Sequence, residues 1–307
     1  MMKVLLTITV FISIEFTVFG QANQRFTSLE AALNEPTNVT WLDLVCMDIP
    51  GFTEQVNKLS KLKSLYLTGC ELVELPSGIG QIQSLELLNV QDNQLRSLPA
   101  SCSNLNNLSV ANLRNNEFEE FPEVLLNLPN LREIDLSGNR RLDLNETLSA
   151  LSNIRKLDFL YLSALNLSTI PSSIRELKQL EELHLSDNPN LNWTHAFNVL
   201  SKSPNLKILV LSDNQIKALP GDLTLLKQVN GLVLDENPKI EIESLIDHLK
   251  QLPDLKVLLL RENELTRLPK ELGGLTNLAV LELSGNRFSD SEKSRIKSLL
   301  PNTNVVF

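Results

Sequence analysis

Hydrophobic residues recur along this chain at fixed spacing, at the first, fourth, sixth and eleventh positions of a repeated unit. One unit reads Leu85-x-x-Leu88-x-Val90-x-x-Asn93-x-Leu95. Eleven such units begin at residues 39, 62, 85, 108, 131, 157, 180, 206, 229, 255 and 278. A repeat of this length predicts a solenoid, in which each coil buries its apolar side against its neighbours.

The first half of each unit predicts a short β-strand. Because strand side chains alternate, positions four and six point inward and position five points outward. In eight units position nine is asparagine, whose amide can satisfy the backbone groups of the following turn. Stacked copies predict a ladder of Asn93, Asn116, Asn139, Asn188, Asn214, Asn237, Asn263 and Asn286. Met47, Cys70 and Leu165 replace asparagine in the other units, which predicts less well satisfied turns.

The second half of each unit comes in two kinds. Unit steps are 23 residues up to residue 131 and then alternate between 26 and 23. Six of the shorter units contain a segment like Leu75-Pro76-x-x-Ile79. Proline removes a backbone donor, so these limbs should be extended or 3₁₀. The longer units show helical spacing, as in Ile242, Leu245, Ile246 and Leu249, and predict α-helices.

The two ends of the chain differ from the repeats. Residues 1–20 predict a cleavable secretory signal, because Lys3 precedes an apolar run that is shorter than the about 20 residues of a membrane span. Residues 21–38 predict an N-terminal cap with a helix over 28–33. Residues 39–288 hold the repeats, and 289–307 predict a C-terminal cap with a helix over 290–300 and a strand over 305–307. The mature protein should therefore be secreted, either to the periplasm or outside the cell, and not inserted in a membrane.

The net charge and the cysteine content bear on the kind of partner and on disulfide bonding. The net charge of −9 argues against nucleic acid, whose phosphates require clustered basic residues. Three cysteines are present, so one thiol remains free whatever the pairing. A Cys46–Cys70 bridge between neighbouring coils is possible, but the two side chains are expected to point in different directions. The sequence therefore favours free thiols.

The repeat resembles the leucine-rich repeat family, in its Leu-Pro-x-x-Ile-bearing class, over essentially the whole mature chain. The two terminal segments look like those of exported bacterial members. The resemblance implies an α/β solenoid, a curved horseshoe with a parallel sheet on its concave side, used to recognise proteins or peptides. Similar repeats occur in intracellular scaffolds that bind small GTPases, a role that the export signal disfavours.

No catalytic, metal-binding or cofactor-binding motif accompanies the repeats. The three histidines are His184, His195 and His248, and none belongs to a cluster with metal-ligand spacing. His184 is the outward residue of its strand and is interpreted as a binding contact or plain surface. The sequence thus predicts a protein that is not an enzyme and needs no cofactor.

The outward residues of successive strands change from polar to apolar along the chain. This change predicts a partner site on the concave face, formed by Tyr161, His184, Ile208, Val210, Val233, Val257 and Leu259. The alternative is that valine and isoleucine simply suit strands. An acidic column at position eight, the acidic rim, contains Asp187, Asp213, Glu236 and Glu262. It suits a basic partner or calcium, although aspartate is also common in turns.

Together these features predict an exported, monomeric, non-enzymatic recognition module for a protein or peptide, with basic partners among the candidates. The alternative is a structural or self-associating surface or envelope protein without a discrete ligand. Replacing Val233 and Leu259 together by aspartate should abolish binding without unfolding the chain.

Overall fold

The computed structural model describes residues 25–44, 46, 55 and 58–307. Thirteen short parallel strands form one sheet, and each strand pairs with the next one along the chain. Successive coils therefore stack along a single axis, and the predicted solenoid is confirmed. The strands are β1 (Arg25–Phe26), β2 (Trp41–Asp43), β3 (Ser64–Tyr66), β4 (Leu87–Asn89), β5 (Val110–Asn112), β6 (Glu133–Asp135), β7 (Phe159–Tyr161), β8 (Glu182–His184), β9 (Ile208–Val210), β10 (Gly231–Val233), β11 (Val257–Leu259), β12 (Val280–Glu282) and β13 (Asn304–Val306).

The return limbs follow the two predicted kinds. Each of the six proline-containing segments is followed by a 3₁₀ helix, at Ser77–Gln81, Ala100–Asn104, Glu123–Leu125, Ser172–Glu176, Gly221–Leu225 and Lys270–Gly274. The three 26-residue steps instead contain two-turn α-helices, since the extra residues provide the length that a helical turn needs. The α-helices of the described chain are α1 (Leu29–Asn34), α2 (Leu144–Leu151), α3 (Trp193–Leu200), α4 (Ile242–Leu249) and α5 (Asp290–Leu299).

In two of the three longer units a side chain caps the start of the α-helix, whereas Glu241 before α4 makes no such hydrogen bond. The Asn192 side chain accepts a hydrogen bond from the His195 amide at 3.0 Å, as the sequence predicts for an N-cap. Asp143 caps α2 in the same way through the Glu146 amide at 3.1 Å. Each cap satisfies a backbone donor that the first helical turn leaves without a partner.

One continuous hydrophobic core runs the length of the solenoid between the sheet and the return limbs. The inward leucines at positions four and six are fully buried, as at Leu65 and Leu67. Each such burial contributes about 1.5–3 kcal/mol. Gly80 lets two limbs approach closely, because a Cβ atom there would lie 2.1 Å from the Ser101 carbonyl oxygen.

The asparagine ladder forms as predicted and joins consecutive turns. Asn188 is fully buried, and its side-chain oxygen accepts from the Leu165 and Leu167 amides of the preceding coil at 3.2 and 3.0 Å. Its side-chain nitrogen donates to backbone carbonyl oxygens of both coils. The ladder is weaker where Leu165 replaces asparagine. The backbone N–H of Asn139 has no asparagine side chain in the next coil to bond, and it donates only to the Leu136 carbonyl oxygen of its own turn, over 3.4 Å.

Secondary structure is present at both ends of the described repeats. Ser28 caps α1, and Phe26 and Leu29 contribute to the core. The C-terminal helix ends one residue earlier than predicted, and the final strand begins at Asn304 instead of Val305 because Asn304 pairs with Val280. The predicted signal segment lies outside the described residues. None of the helices in the described part of the chain is long and apolar enough to cross a membrane.

The expectation of free thiols at Cys46 and Cys70 is wrong. The two residues form a disulfide bond, with Cα atoms 5.0 Å apart. Both lie beyond the ends of β2 and β3, in turns where the alternation of strand side chains no longer applies. Stacking of consecutive turns brings the two side chains within bonding reach. Cys102 is the free, buried cysteine, and burial raises the pKa of its thiol to about 12.

Candidate interaction surface on the sheet

The face of the sheet that bears positions three and five corresponds to the predicted concave face and keeps that name below. All seven predicted contact residues lie on it, on the adjacent strands β7 to β11. Register pairing forms one column from Tyr161, His184, Val210, Val233 and Leu259. Ile208 and Val257 lie in the neighbouring column, on either side of Gly231. With strands about 4.8 Å apart, each column is a continuous line of side chains.

The apolar residues of these columns differ in accessibility. Val257 and Leu259 are 9% and 2% exposed and form a small cluster with Val280. Val233 packs against the edge of this cluster and stays half-buried, as do Ile208 and Val210. The accessible apolar surface is therefore centred on β9 and β10 rather than on β11. Because Leu259 is packed, an aspartate there would bury a charge, and the expectation that this change leaves the fold intact does not hold.

The acidic rim borders the same strands at the turn that follows them. Its four residues share a left-handed backbone, with φ between 50° and 56°. Aspartate tolerates this conformation well, so the turn itself accounts for Asp187 and Asp213. Glutamate has no such preference. Burial and the negative charges of Glu262 and Asp213 raise the pKa of Glu236, so the rim side chains are close enough to repel one another.

A second polar group on the concave face was not recognised from the sequence. It consists of Glu133 and Asp135 on β6, Tyr161 on β7, and Glu182 and His184 on β8, and is called the acidic cluster below. His184 Nε2 donates to Glu182 Oε1 over 2.5 Å, and the His184 ring stacks on Tyr161 with centroids 4.0 Å apart. The outward positions of β6 to β8 carried the signal, but a single-strand pattern does not show which side chains meet across strands.

A groove lies on a different edge of the sheet, where the strands begin. It has a volume of about 590 Å³ and is lined by position-two residues and their neighbours, including Arg132, Asp158 and Glu181. Arg132 forms an ion pair with Asp158 and lies over the Phe159 ring. The predicted contact residues do not line this groove.

Two of the three histidines, His195 and His184, make contacts within the protein. His195 Nε2 lies 3.0 Å from the Ile170 carbonyl oxygen, a structural contact on the return side. His184 interacts with a carboxylate and an aromatic ring, as described above. Within the described ranges, no group of three or more histidine, cysteine, aspartate or glutamate residues could hold a metal ion.

Stacked coils, one parallel sheet and a buried asparagine ladder define a leucine-rich repeat solenoid. Family models agree with this definition: the leucine-rich repeat region model matches residues 42–191, and two further leucine-rich repeat models match residues 202–218 and 246–288. The chain belongs to the leucine-rich repeat family. Among curated proteins, no sequence match was found.

An internalin from Listeria monocytogenes shares this fold at low sequence identity. It is 20% identical with a TM-score of 0.54, and the match covers 92% of this chain and 84% of that one. This likeness concerns the fold alone. A leucine-rich repeat protein from Leptospira interrogans is 23% identical, with a TM-score of 0.34 and a match that covers 92% of this chain and all of that one.

Proposed function

We propose that this protein is an exported, non-enzymatic recognition module that binds a protein or peptide along the concave face. It would belong to the Leu-Pro-x-x-Ile-bearing class and resemble exported bacterial members. The observation that carries the proposal is the line of half-buried apolar side chains at Ile208, Val210 and Val233, bordered by the acidic rim. Apolar contact would supply affinity, and the rim would favour partners that carry basic residues near the contact.

Export is supported by the signal-like segment over residues 1–20 and agrees with the Cys46–Cys70 disulfide, since disulfides persist in oxidising compartments. Mass spectrometry of the protein recovered from culture medium or periplasm should find Gln21 at the N-terminus. Recovered protein that retains Met1 would contradict the export proposal.

The binding proposal is tested with the double variant Val210→Asp and Val233→Asp, because both side chains are half-buried and tolerate a change better than Leu259 does. The chain is used as bait against native envelope and medium, and the captured partner is then titrated. Loss of its binding is expected for the double variant. The control is Val73→Asp, the same change at a side chain that is 67% exposed and lies outside the strands.

Circular dichroism should show that both variants keep the fold. Equal partner affinity for the double variant and the wild-type chain would show that the apolar line is not the contact surface. Equal loss for Val73→Asp would show that the effect is not specific to the concave face.

A self-associating surface protein is the second candidate, and one observation favours it. Strand β13 is the last strand of the described sheet and pairs on one side with β12, while Val306 is 36% exposed. An open strand edge can pair with another chain. Light scattering over a range of concentrations distinguishes the two, because a recognition module stays monomeric when alone.

A further inference from the structure

The acidic cluster brings together three carboxylates from β6 and β8, the two strands on either side of β7. Register pairing places Glu133 and Glu182 on either side of Phe159, and Asp135 and His184 on either side of Tyr161. Strands lie about 4.8 Å apart, so side chains from β6 and β8 meet over β7. Glu133, Tyr161 and His184 are half-buried and face the concave side, whereas Glu182, at 1% exposure, forms the floor.

The cluster contains hydrogen-bonding atoms that the protein itself does not satisfy. Glu182 Oε1 is held by His184, but Glu182 Oε2 is buried and has no hydrogen-bond partner. The buried Tyr161 hydroxyl lies beside Glu133, whose pKa it lowers against the larger effect of burial, and has no other hydrogen-bond partner among the described residues. Burying an unpaired carboxylate oxygen is costly, so these atoms indicate a place for a donor that comes from outside the chain.

No lysine or arginine in the described part of the chain forms an ion pair with the carboxylates of the cluster, although Arg114 and His184 lie near enough to oppose the burial that raises the pKa of Asp135. The neighbouring Arg132 is engaged by Asp158. Burial, followed by the charges of Glu182 and Asp135, raises the pKa of Glu133 to about 7, against the opposing effects of the Tyr161 hydroxyl and Arg132. A bound cation would relieve this repulsion.

We propose that the acidic cluster binds the guanidinium group of an arginine side chain presented by the partner. Guanidinium is planar and carries five donors, so it can reach Glu182 Oε2, Glu133 and the Tyr161 hydroxyl together. The stacked rings of Tyr161 and His184 offer it a flat aromatic surface. Binding would release to solvent the proton that Glu133 holds near neutral pH.

This proposal rests on the proposed function and adds the chemistry of one partner residue. His184 is paired with Val210 on the next strand, so the acidic cluster adjoins the apolar line directly. A partner with arginine followed by apolar residues would fit both. The proposed ligand is a guanidinium rather than a metal ion because, among the described residues, no three histidine, cysteine, aspartate or glutamate side chains are placed to hold a metal.

The test uses the full chain and small probes. N-acetyl-arginine amide is titrated while the imidazole NMR signals are followed, which are few because the chain has three histidines. We expect saturable shifts of the His184 signal. The neutral isostere N-acetyl-citrulline amide should cause none, and N-acetyl-lysine amide should bind more weakly. Equal binding of citrulline amide or lysine amide would overturn the proposal.

The matched variants are Glu182→Gln and Glu236→Gln, which change a cluster residue and a rim residue in the same way. Glu182→Gln should weaken arginine amide binding about tenfold or more, because a charge-assisted hydrogen bond is lost. Glu236→Gln should have no effect. Unchanged affinity of a folded Glu182→Gln protein would overturn the assignment of this cluster.

The two proposals fail in different ways. The Val210→Asp and Val233→Asp protein should still bind arginine amide, because it keeps the acidic cluster. If arginine amide does not bind but partner capture remains sensitive to Val210 and Val233, the arginine site alone is wrong. If arginine amide binds but the valine substitutions do not change partner capture, the assignment of the apolar line as a contact surface is wrong.

Discussion

The asparagine ladder makes a quantitative prediction at Asn237, which is fully buried. Its side-chain oxygen accepts from the Asn214 and Ile216 amides of the preceding coil at 3.1 and 3.0 Å. Its side-chain nitrogen donates to three carbonyl oxygens, those of Leu211, Leu234 and Asp235. Asn237→Ala removes all five hydrogen bonds and leaves the backbone of two turns without its partners.

The backbone amides of Asn214 and Ile216, which lose their acceptor, account for most of the expected loss in the free energy of unfolding. An unsatisfied buried donor costs about 1–3 kcal/mol, so Asn237→Ala should reduce the free energy of unfolding by roughly 2–6 kcal/mol. The control is Asn190→Ala, at an exposed asparagine that makes one side-chain hydrogen bond, to Asn166. A surface change of this kind should remain within about 0.5 kcal/mol.

Urea unfolding followed by circular dichroism measures the overall loss. Native-state hydrogen exchange of the Asn214 and Ile216 amides measures it locally, which matters because solenoid coils interact mainly with their neighbours. Exchange there should accelerate strongly, while the amides of β4 and β5 should change little. A loss below about 1 kcal/mol with unchanged exchange would refute the view that the ladder stabilises the turns.

Two further predictions concern titration and the disulfide. The raised pKa of Glu133, about 7 against an ordinary 4.5, means that the folded state binds the extra proton, so stability should fall as pH rises from about 4.5 to 7. Glu133→Gln should remove up to about 3 kcal/mol of this loss in the free energy of unfolding. Urea unfolding should therefore show that the substitution stabilises the protein more at pH 8 than at pH 5. An equal effect at the two pH values would contradict the assignment. Replacing Cys46 and Cys70 by serine should destabilise the first coils by about 3 kcal/mol through loop entropy, seen as faster hydrogen exchange in β2 and β3. Equal acceleration in β10 and β11 would show that the effect is not local.

The repeat sequence by itself determined the architecture of this protein. Spacing of leucines selects strand and turn, and a proline such as Pro99 marks the shorter units, whose return limbs form a 3₁₀ helix directly after it. Asn192 likewise predicts its own helix start. These features could be predicted because each coil is local in sequence and contacts mainly the coils beside it.

Only the tertiary structure decided which outward side chains meet and how deeply they lie. Leu259 occupies the same outward position as Val233, but Val257 and Val280 cover it. Its accessibility therefore depends in part on Val280, which lies 20 or more residues away in the sequence. The Cys46–Cys70 disulfide depends on how two turns stack beyond their strands. The burial of the unpaired Glu182 oxygen depends on how the side chains of neighbouring strands pack over β8. Strand alternation specifies a face, whereas burial and pairing on that face arise from contacts between coils.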